Sequence, residues 1–206
     1  MNIENWDCFY QNEVDSTNTW ALNWAENASS GQKALFLADA QTLGRGRRGR
    51  SWISLSGNLF FSLCFETEPA DISAFTFISS LSLAEAVLEY PESQNISVAL
   101  KWPNDVLLNG AKVSGILIEK GAKNFLIVGI GVNIIEAPQA SNILYPVISL
   151  EKAGIKTDKL FFLKKFLAHW NKNITLLKVN GITDILQKDD GVVEKKLVGD
   201  VFFDKD

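Results

Sequence analysis

Hydrophobic residues follow two kinds of pattern along the chain. Short runs rich in Phe, Leu, Ile and Val are typical of buried strands, and apolar residues at helical spacing are typical of helices that pack one face on a sheet. The short runs predict strands at residues 34–38, 58–66, 96–102 and 125–134. The helical spacings predict a first helix that begins at Ser16 or Thr17, a second at residues 74–90 and a long third at residues 159–179.

Turn signals connect these elements in a definite order. Asn109-Gly110 separates two further apolar segments, residues 106–108 and 112–119, and Asn-Gly is the strongest short signal for a two-residue hairpin. The middle of the chain is therefore expected to form an antiparallel meander. Helices interspersed with such strands predict an α+β fold, in which a mixed, largely antiparallel sheet carries packed helices.

The two ends of the chain depart from this pattern. Residues 1–14 are expected to be a short lead-in, with no room for a helix-turn-helix or another separate N-terminal domain. After Gly181 the pattern changes to a turn and one or two short strands within residues 192–203. We therefore predict a main domain of residues 1–180 and an incomplete small β-domain at residues 181–206.

Composition and charge narrow the classes of function. The 206 residues carry a net charge of −4, and an acidic chain is not expected to bind nucleic acid generally, because that binding needs many cations. The sequence has no signal-peptide pattern and no apolar run that could span a membrane, so a cytoplasmic protein without membrane contact is expected. Cys8, Cys64 and the sole histidine, His169, have no zinc spacing; the two thiols are expected to be buried, and His169 is given no catalytic role.

All four arginines of the chain lie in one stretch, Gly44-Arg45-Gly46-Arg47-Arg48-Gly49-Arg50. The arginine fork matches carboxylate and phosphate geometry, and glycine allows the backbone to approach a ligand, so this arginine loop (residues 44–50) is expected to close over an anion. The stretch formally matches G-x-G-x-x-G and is close to a Walker A loop. Both motifs need a helix directly afterwards, which residues 51–57 do not predict.

A second polar cluster is predicted around Lys101-Trp102-Pro103-Asn104-Asp105. The Asn-Gly hairpin makes Asp105 and Lys112 neighbours across two strands. Together with Asn104 they offer a carboxylate, an amide and an ammonium, which can hold Mg²⁺ and stabilise a developing oxyanion; a plain surface salt bridge is the alternative. Gly115 inside a strand indicates either a ligand at the backbone or a bulge, and Asn133 is either a satisfied core amide or a ligand.

In this order, several segments resemble the catalytic domain of biotin protein ligases over roughly residues 14–177. They are Asp15-Ser16-Thr17-Asn18, Gln41, residues 44–50, residues 101–105, Lys112-Val113-Ser114-Gly115-Ile116-Leu117, and Gly129-Ile130-Gly131-Val132-Asn133. The resemblance implies a biotin/lipoate ligase fold similar to class II aminoacyl-tRNA synthetases. Because the expected lead-in leaves no room for a DNA-binding domain, a repressor role is not expected.

The resemblance also implies a two-step reaction and a role for each residue. Biotin and ATP form biotinyl-5′-AMP and pyrophosphate, and a lysine of a biotin carboxyl carrier domain then takes the biotin; the family also allows a homodimer. The implied catalytic residues are Lys112, Arg45 and Asp105. The implied biotin-binding residues are Ser16, Thr17, Gln41, Gly44, Arg45, Arg47, Lys112 and Gly115. The implied ATP or adenylate residues are Arg47, Arg48, Arg50, Trp52, Lys101, Asn104 and Asn133, with Asp105 and Asn133 towards Mg²⁺.

Three other functions stay open on the same residues, and one of them is nucleic-acid binding through the arginine loop. A lipoate or octanoyl ligase would share the scaffold, although the arginine loop and residues 101–105 favour biotin. A non-catalytic biotin-binding protein would not need Lys112 and Asp105.

Overall fold

The computed structural model describes residues 2–67, 72–139 and 145–187, and its centre is one eight-stranded sheet. The strands are β1 (Asn2–Ile3), β2 (Trp6–Val14), β3 (Lys33–Gln41), β4 (Leu59–Glu66), β5 (Val98–Lys101), β6 (Asp105–Leu108), β7 (Ala111–Lys120) and β8 (Phe125–Val132), and the helices are α1 (Thr17–Ala25), α2 (Ile72–Leu88) and α3 (Lys159–Gln187). The strand order is β1-β2-β3-β4-β8-β7-β6-β5. Strands β2 and β3 pair in parallel and the other neighbouring strands antiparallel, so the predicted α+β class is confirmed.

The chain before residue 15 is not the predicted lead-in, because it forms β1 and β2. Strand β2 lies beside β3, with Asp7 opposite Ala34 and Val14 opposite Gln41. Only its first positions reach the core: Trp6 and Cys8 are buried, whereas residues 9–13 are exposed. The strand therefore lacks the apolar run on which the sequence prediction depended.

The hairpin and the meander agree with the prediction. Asn109 and Gly110 have φ of 51° and 78°, and two successive positive φ angles are what a two-residue hairpin turn requires. Strands β5 to β8 follow as consecutive antiparallel neighbours. A bulge between Val106 and Leu107 shifts the register of β6 on β7, and it brings Asp105 opposite Gly115.

Side-chain alternation gives the sheet two different faces. Helices α2 and α3 cover one face, where Leu35, Leu63, Ile116, Val128 and Phe166 belong to one buried cluster. Helix α1 covers part of the other face with Ala21 and Ala25, which pack with Phe36, Cys64 and Ile127. As predicted, Cys8 and Cys64 are buried free thiols, and burial raises the pKa of Cys64 to about 12.

Helix α3 is longer than predicted. Its start at Lys159 is fixed by the Asp158 carboxylate, which accepts hydrogen bonds from the Leu160 and Phe161 amides at 3.0 and 2.9 Å. The helix continues past Gly181 to Gln187, so the predicted division at residue 181 falls within it. The strands predicted within residues 192–203 lie outside the described residues. Within the described part of the chain, no helix combines the length and the apolar character needed to cross a membrane.

His169 clamps α3 to α2 through two carboxylates. Its Nε2 lies 2.8 Å from Glu89 Oε1 and its Nδ1 lies 3.4 Å from Glu85 Oε2. Hydrogen bonding to Glu85 raises the pKa of His169, and burial opposes this only partly. Burial disfavours the ionised form of Glu85, but hydrogen bonds from His169 and Asn173 outweigh it and lower the pKa of Glu85. A hydrogen bond from Lys165 lowers the pKa of Glu89.

These shifts predict a pH-dependent stability. His169 contributes fully to the free energy of unfolding below its ordinary pKa of 6.5, and this contribution is lost as the pH rises through its raised pKa. Glu85 and Glu89 contribute fully above their ordinary pKa of 4.5, and their contributions are lost as the pH falls through their lowered pKa values. His169→Gln is expected to lower the free energy of unfolding by about 1 kcal/mol between pH 4.5 and pH 6.5, and by less at higher pH. Urea titrations across pH measure this; a difference that does not change with pH would contradict it.

Candidate active site

A cavity of about 420 Å³ opens between the arginine loop, the start of α1 and strands β7 and β8. Most of the predicted site residues line it together: Ser16, Thr17, Gln41, Arg45, Arg47, Arg50, Trp52, Asn104, Lys112, Gly115 and Asn133. Four predicted residues do not line this cavity: Gly44, Arg48, Lys101 and Asp105. The structure therefore brings together residues that are spread over more than half of the sequence.

The N-terminal end of α1 forms a polar wall of the cavity. Ser16 and Thr17 are each only 3% exposed. The Thr17 amide donates to Gln41 Oε1 at 2.9 Å, and Gln41 Nε2 donates to Ser54 Oγ at 3.2 Å. Gln41 is thus held by partners on both sides, and the wall presents fixed hydroxyl, amide and backbone groups to a small polar ligand.

The arginine loop is a small hairpin rather than a phosphate-binding turn before a helix. Arg45 pairs with Ser51, the Gly46 amide donates to Arg50 at 2.7 Å, and the Trp52 amide donates to Gly44 at 2.8 Å. A Cβ on Gly44 would lie 2.5 Å from the Trp52 carbonyl oxygen, so this position needs glycine. Strand β4 is the next regular strand or α-helix along the chain, which agrees with the rejection of the G-x-G-x-x-G and Walker A interpretations.

Two of the loop arginines reach across the cavity. Arg45 Nη2 donates to Glu119 Oε2 at 2.8 Å, and Arg47 Nη1 donates to Asn104 Oδ1 at 3.3 Å. Asn104 is itself anchored, because its Nδ2 donates to the Ile116 carbonyl at 2.9 Å. Arg50 donates from Nε to the carbonyl of Arg47 at 3.3 Å. The loop therefore holds several guanidinium groups over one opening, which suits an anionic ligand.

Lys112 and Asp105 are neighbours, as the hairpin predicted. Lys112 Nζ lies 2.8 Å from Asp105 Oδ1, and the two side chains are 22% and 14% exposed. Two backbone hydrogen bonds fix Lys112: its amide donates to the Pro146 carbonyl, and its carbonyl accepts from the Ile148 amide. Lys112 lines the cavity and Asp105 does not, so the ammonium is the member of the pair at the cavity wall.

Trp52 packs against strands β7 and β8 at positions where glycines leave space. A Cβ on Gly131 would lie 2.4 Å from Trp52 Cε2, and a Cβ on Gly115 would lie 2.9 Å from Trp52 Cζ3 and 3.0 Å from Lys112 Nζ. The bulge between β6 and β7 leaves Val113 of β7 unpaired, because Val106 lies opposite Ser114 and Leu107 opposite Lys112. Gly115 itself is paired with Asp105, so the bulge does not explain the bare position at residue 115. Position 115 lacks a side chain because the Trp52 indole and the Lys112 side chain occupy that space. Direct approach of a ligand to Gly115 stays a prediction.

Asn133 and Asp105 were predicted on the metal side of the site. Asn133 is 2% exposed; its Nδ2 donates to the Ile148 carbonyl at 3.2 Å, while its Oδ1 is buried without a hydrogen-bond partner. Within the described residues, no group of three His, Cys, Asp or Glu side chains could hold a metal by itself. One free amide oxygen and one lysine-paired carboxylate fit a Mg²⁺ that is held mostly by phosphates and water.

Lys101, which was predicted to bind ATP or the adenylate, does not line the cavity itself. Its Nζ lies 3.5 Å from the centroid of the Tyr145 ring, a cation–π contact, and Tyr145 is the member of the pair that lines the cavity. Lys101 therefore reaches the cavity wall through an aromatic ring that the sequence analysis did not single out.

Three polar residues of the site were not assigned a role from the sequence: Asn18, Ser62 and Glu119. Asn18 Nδ2 donates to Glu119 Oε2 at 2.8 Å and to the Leu117 carbonyl at 3.2 Å. Ser62 Oγ donates to Asn18 Oδ1 at 2.6 Å and lies 2.8 Å from Thr17 Oγ1. Ser62 interrupts an otherwise apolar run, and Asn18 lies in the Asp15-Ser16-Thr17-Asn18 segment of the family resemblance; these signals could have marked the two residues.

The fold places a polar wall and several cationic side chains around one cavity, an arrangement that suits a small polar ligand beside an anion. Comparison with known proteins gives the family of this domain. Residues 10–134, more than half of the chain, match the biotin/lipoate A/B protein ligase family. This chain belongs to that family.

Individual relatives agree with this assignment. The chain is 41% identical over 133 residues to biotin–[acetyl-CoA-carboxylase] ligase of Paracoccus denitrificans, covering 62% of this chain and 54% of that protein. It is 31% identical over 184 residues to the bifunctional ligase/repressor BirA of Bacillus subtilis, covering 85% and 56%. The chain thus spans about half the length of these relatives. Biotin protein ligase from Aquifex aeolicus in complex with biotin and ATP superimposes with a TM-score of 0.76 at 34% identity, covering 93% of this chain and 78% of that one.

Proposed function

We propose that this chain is an ATP-dependent biotin protein ligase, which forms biotinyl-5′-AMP and then transfers biotin to a lysine of a biotin carboxyl carrier domain. One observation carries the proposal: a single cavity joins a buried polar wall at Ser16, Thr17 and Gln41 to the side chains of four cations, Arg45, Arg47, Arg50 and Lys112. A neutral polar head group and two anions, a carboxylate and a triphosphate, need that combination. The relatives named as biotin ligases support it.

In the first step, a carboxylate oxygen of biotin attacks the α-phosphorus of ATP. The bond from that phosphorus to the bridging oxygen breaks, and pyrophosphate leaves with the electron pair. The reacting groups are both negative, so fixed cations must offset their repulsion. Lys112 donates to the carboxyl and α-phosphate oxygens, Arg45 holds the carboxyl end of biotin, and Arg47 and Arg50 hold the phosphates. Lys112 and Arg45 need little reorganisation during the reaction, because Asp105 and Glu119 already hold their positions. Arg47 exchanges its hydrogen bond to Asn104 for one to a phosphate.

The remaining contacts orient the two substrates. Ser16, Thr17 and Gln41 hold the biotin head group by hydrogen bonds, and the buried Nε1 of Trp52, which has no hydrogen-bond partner, can donate to a ligand. Asn133 Oδ1 and Asp105 are the protein groups that would hold the Mg²⁺ that accompanies ATP. When bound, this ion supplies charge neutralisation at the phosphates.

In the second step, the lysine amine of the carrier domain attacks the carbonyl carbon of biotinyl-5′-AMP. The new C–N bond forms, the C–O bond to the phosphate breaks, and AMP leaves. The amine must lose a proton, and Asp105 is the carboxylate we assign to accept it once the lysine is bound. We further propose that the enzyme works in the cytoplasm and that it can form a homodimer.

Biotin-dependent exchange of labelled pyrophosphate into ATP tests the proposed function. We expect exchange with biotin and none above background with lipoate or octanoate. Exchange with lipoate but not biotin would assign the chain to the lipoate branch of the family. Biotin binding without exchange would instead indicate a biotin-binding protein that does not form the adenylate.

A further inference from the structure

Glu119 occupies an unusual place in β7. Leu117 and Glu119 point to the α1 side of the sheet, whereas Ile116 and Ile118 pack in the cluster under α2 and α3. One oxygen of the Glu119 carboxylate, Oε2, accepts a hydrogen bond from Arg45 at 2.8 Å and another from Asn18 at 2.8 Å. Its side chain is 24% exposed, so most of it is withdrawn from water. A single carboxylate thus joins the arginine loop to the first helix.

The Asn18 end of this connection is buried and tightly packed. Asn18 is 3% exposed, and a Cβ on Gly129 would lie 2.0 Å from its Oδ1. Gly129 therefore has to be glycine for Asn18 to sit where it does. Ser62 donates to Asn18 Oδ1 and lies 2.8 Å from the Thr17 hydroxyl, which faces the cavity. The chain of contacts runs from Arg45 through Glu119, Asn18 and Ser62 to Thr17.

The two ends of this chain of contacts are assigned to opposite ends of one ligand. Thr17 belongs to the wall for the biotin head group, and Arg45 belongs to the group that meets the biotin carboxylate. Arg45 is 40% exposed and would have many rotamers without a partner, so holding it in one geometry takes an anchor. The anchor is charged, which makes its hydrogen bonds to Arg45 and Asn18 stronger than those of a neutral group.

We propose that Glu119 is a positioning residue for the first step: it sets the spacing between the head-group wall and Arg45, and so matches the site to the length of biotin between its ring and its carboxylate. Glu119 acts through Arg45 and Asn18, and it does not line the cavity itself. This inference rests on the proposed function.

Calorimetric titration of biotin and of ATP into the purified chain tests the inference. Glu119→Ala is expected to weaken biotin binding about 10-fold to 100-fold and to leave ATP binding within about twofold, because neither Arg45 nor Asn18 is assigned to ATP. Glu119→Gln keeps an acceptor oxygen without the charge, and it is expected to recover most of the lost biotin affinity. The matched control is Glu66→Ala, which removes another strand carboxylate that accepts hydrogen bonds from a loop, at Ser30 and Gly31, away from the cavity.

A double-mutant cycle separates positioning from general damage to the fold. If Glu119 acts through Arg45, the loss in Arg45→Ala/Glu119→Ala is smaller than the product of the two single losses by at least about threefold. Losses that simply multiply, equal losses for biotin and ATP, or a Glu119→Ala that behaves like Glu66→Ala would each overturn the inference. Failure of the unmodified chain to bind biotin would overturn the proposed function, and this inference with it; normal biotin binding and exchange by Glu119→Ala would overturn this inference alone.

Discussion

Lys112→Ala is expected to lower biotin-dependent ATP–pyrophosphate exchange by roughly 10²–10³-fold while the chain stays folded. The ammonium is mostly withdrawn from water and is held 2.8 Å from Asp105, so it is fixed at the cavity wall before substrates arrive. A donor that is fixed beforehand stabilises the charge that develops when the carboxylate attacks the α-phosphorus, and alanine removes it completely. The rate of exchange at saturating biotin and ATP is the quantity to measure.

The control for this variant is Lys120→Ala. Lys120 is on the same strand but is exposed and does not line the cavity, so the two variants lose the same charge and differ in position. Lys112→Ala also leaves the Asp105 carboxylate without its partner, and a cost of about 1–3 kcal/mol in the free energy of unfolding is expected from that. Exchange within a few-fold of the unmodified chain would remove Lys112 from the mechanism.

The Lys112–Asp105 ion pair has two interpretations, a surface salt bridge or part of a ligand-binding site, and its surroundings favour the second. The Lys112 ammonium lies 5.4 Å from the centre of the Trp52 ring, and a Cβ at Gly115 would lie within 3.0 Å of it. An exposed salt bridge contributes little to stability and needs no such packing. The neighbouring strand keeps glycine at position 131, where it admits the indole. Trp52 and Gly115 are thus packed around the Lys112 ammonium group, and Gly131 leaves room for the Trp52 indole.

Local signals in the sequence were sufficient for most of the fold. The apolar runs of β3, β4 and β8 and the Asn109-Gly110 turn gave those elements within a few residues of their observed ends, because each is buried or carries its own turn chemistry. Strand β2 was missed because most of its side chains are exposed and it is held by pairing with β3, which is a tertiary property. The bulge at Val106 and Leu107 likewise depends on a neighbouring strand.

The candidate site likewise contains some residues that local sequence signals identify and others that depend on tertiary contacts. Residues that lie in a distinctive local motif, such as Arg45, Lys112 and Gly115, were found from the sequence. Glu119 was not found, because its partners Asn18 and Arg45 are 101 and 74 positions away and no local pattern links them. The motifs also could not show that Trp52 lies against Gly115 and Gly131. Only the packed structure supplies contacts of that range.

Arg47→Gly is expected to release biotinyl-5′-AMP about 10-fold to 100-fold faster, which is the loss expected for removing charge-assisted hydrogen bonds to a phosphate. Arg47 lines the cavity, and its hydrogen bond to Asn104 is 3.3 Å long and exchangeable for a stronger one to the adenylate. Adenylate that leaves the enzyme is a reactive anhydride, so exposed lysines of bystander proteins should become biotinylated. Retention of labelled adenylate on a desalting column, together with labelling of added serum albumin, measures both effects.

A glycine at residue 47 also makes the loop more flexible, and Leu43→Gly controls for that. Leu43 is 68% exposed just before the arginine loop, so this variant adds a glycine beside the loop without removing a charge. If loss of the Arg47 guanidinium is the cause, Leu43→Gly retains adenylate like the unmodified chain and labels no albumin. If both variants lose adenylate equally, loop flexibility decides retention and the assigned phosphate contact of Arg47 is wrong. If only Arg47→Gly loses adenylate, Arg47→Lys tests whether charge or the shape of the side chain is responsible. Partial recovery of adenylate retention means that charge alone retains it, whereas no recovery means that the planar arginine fork is required.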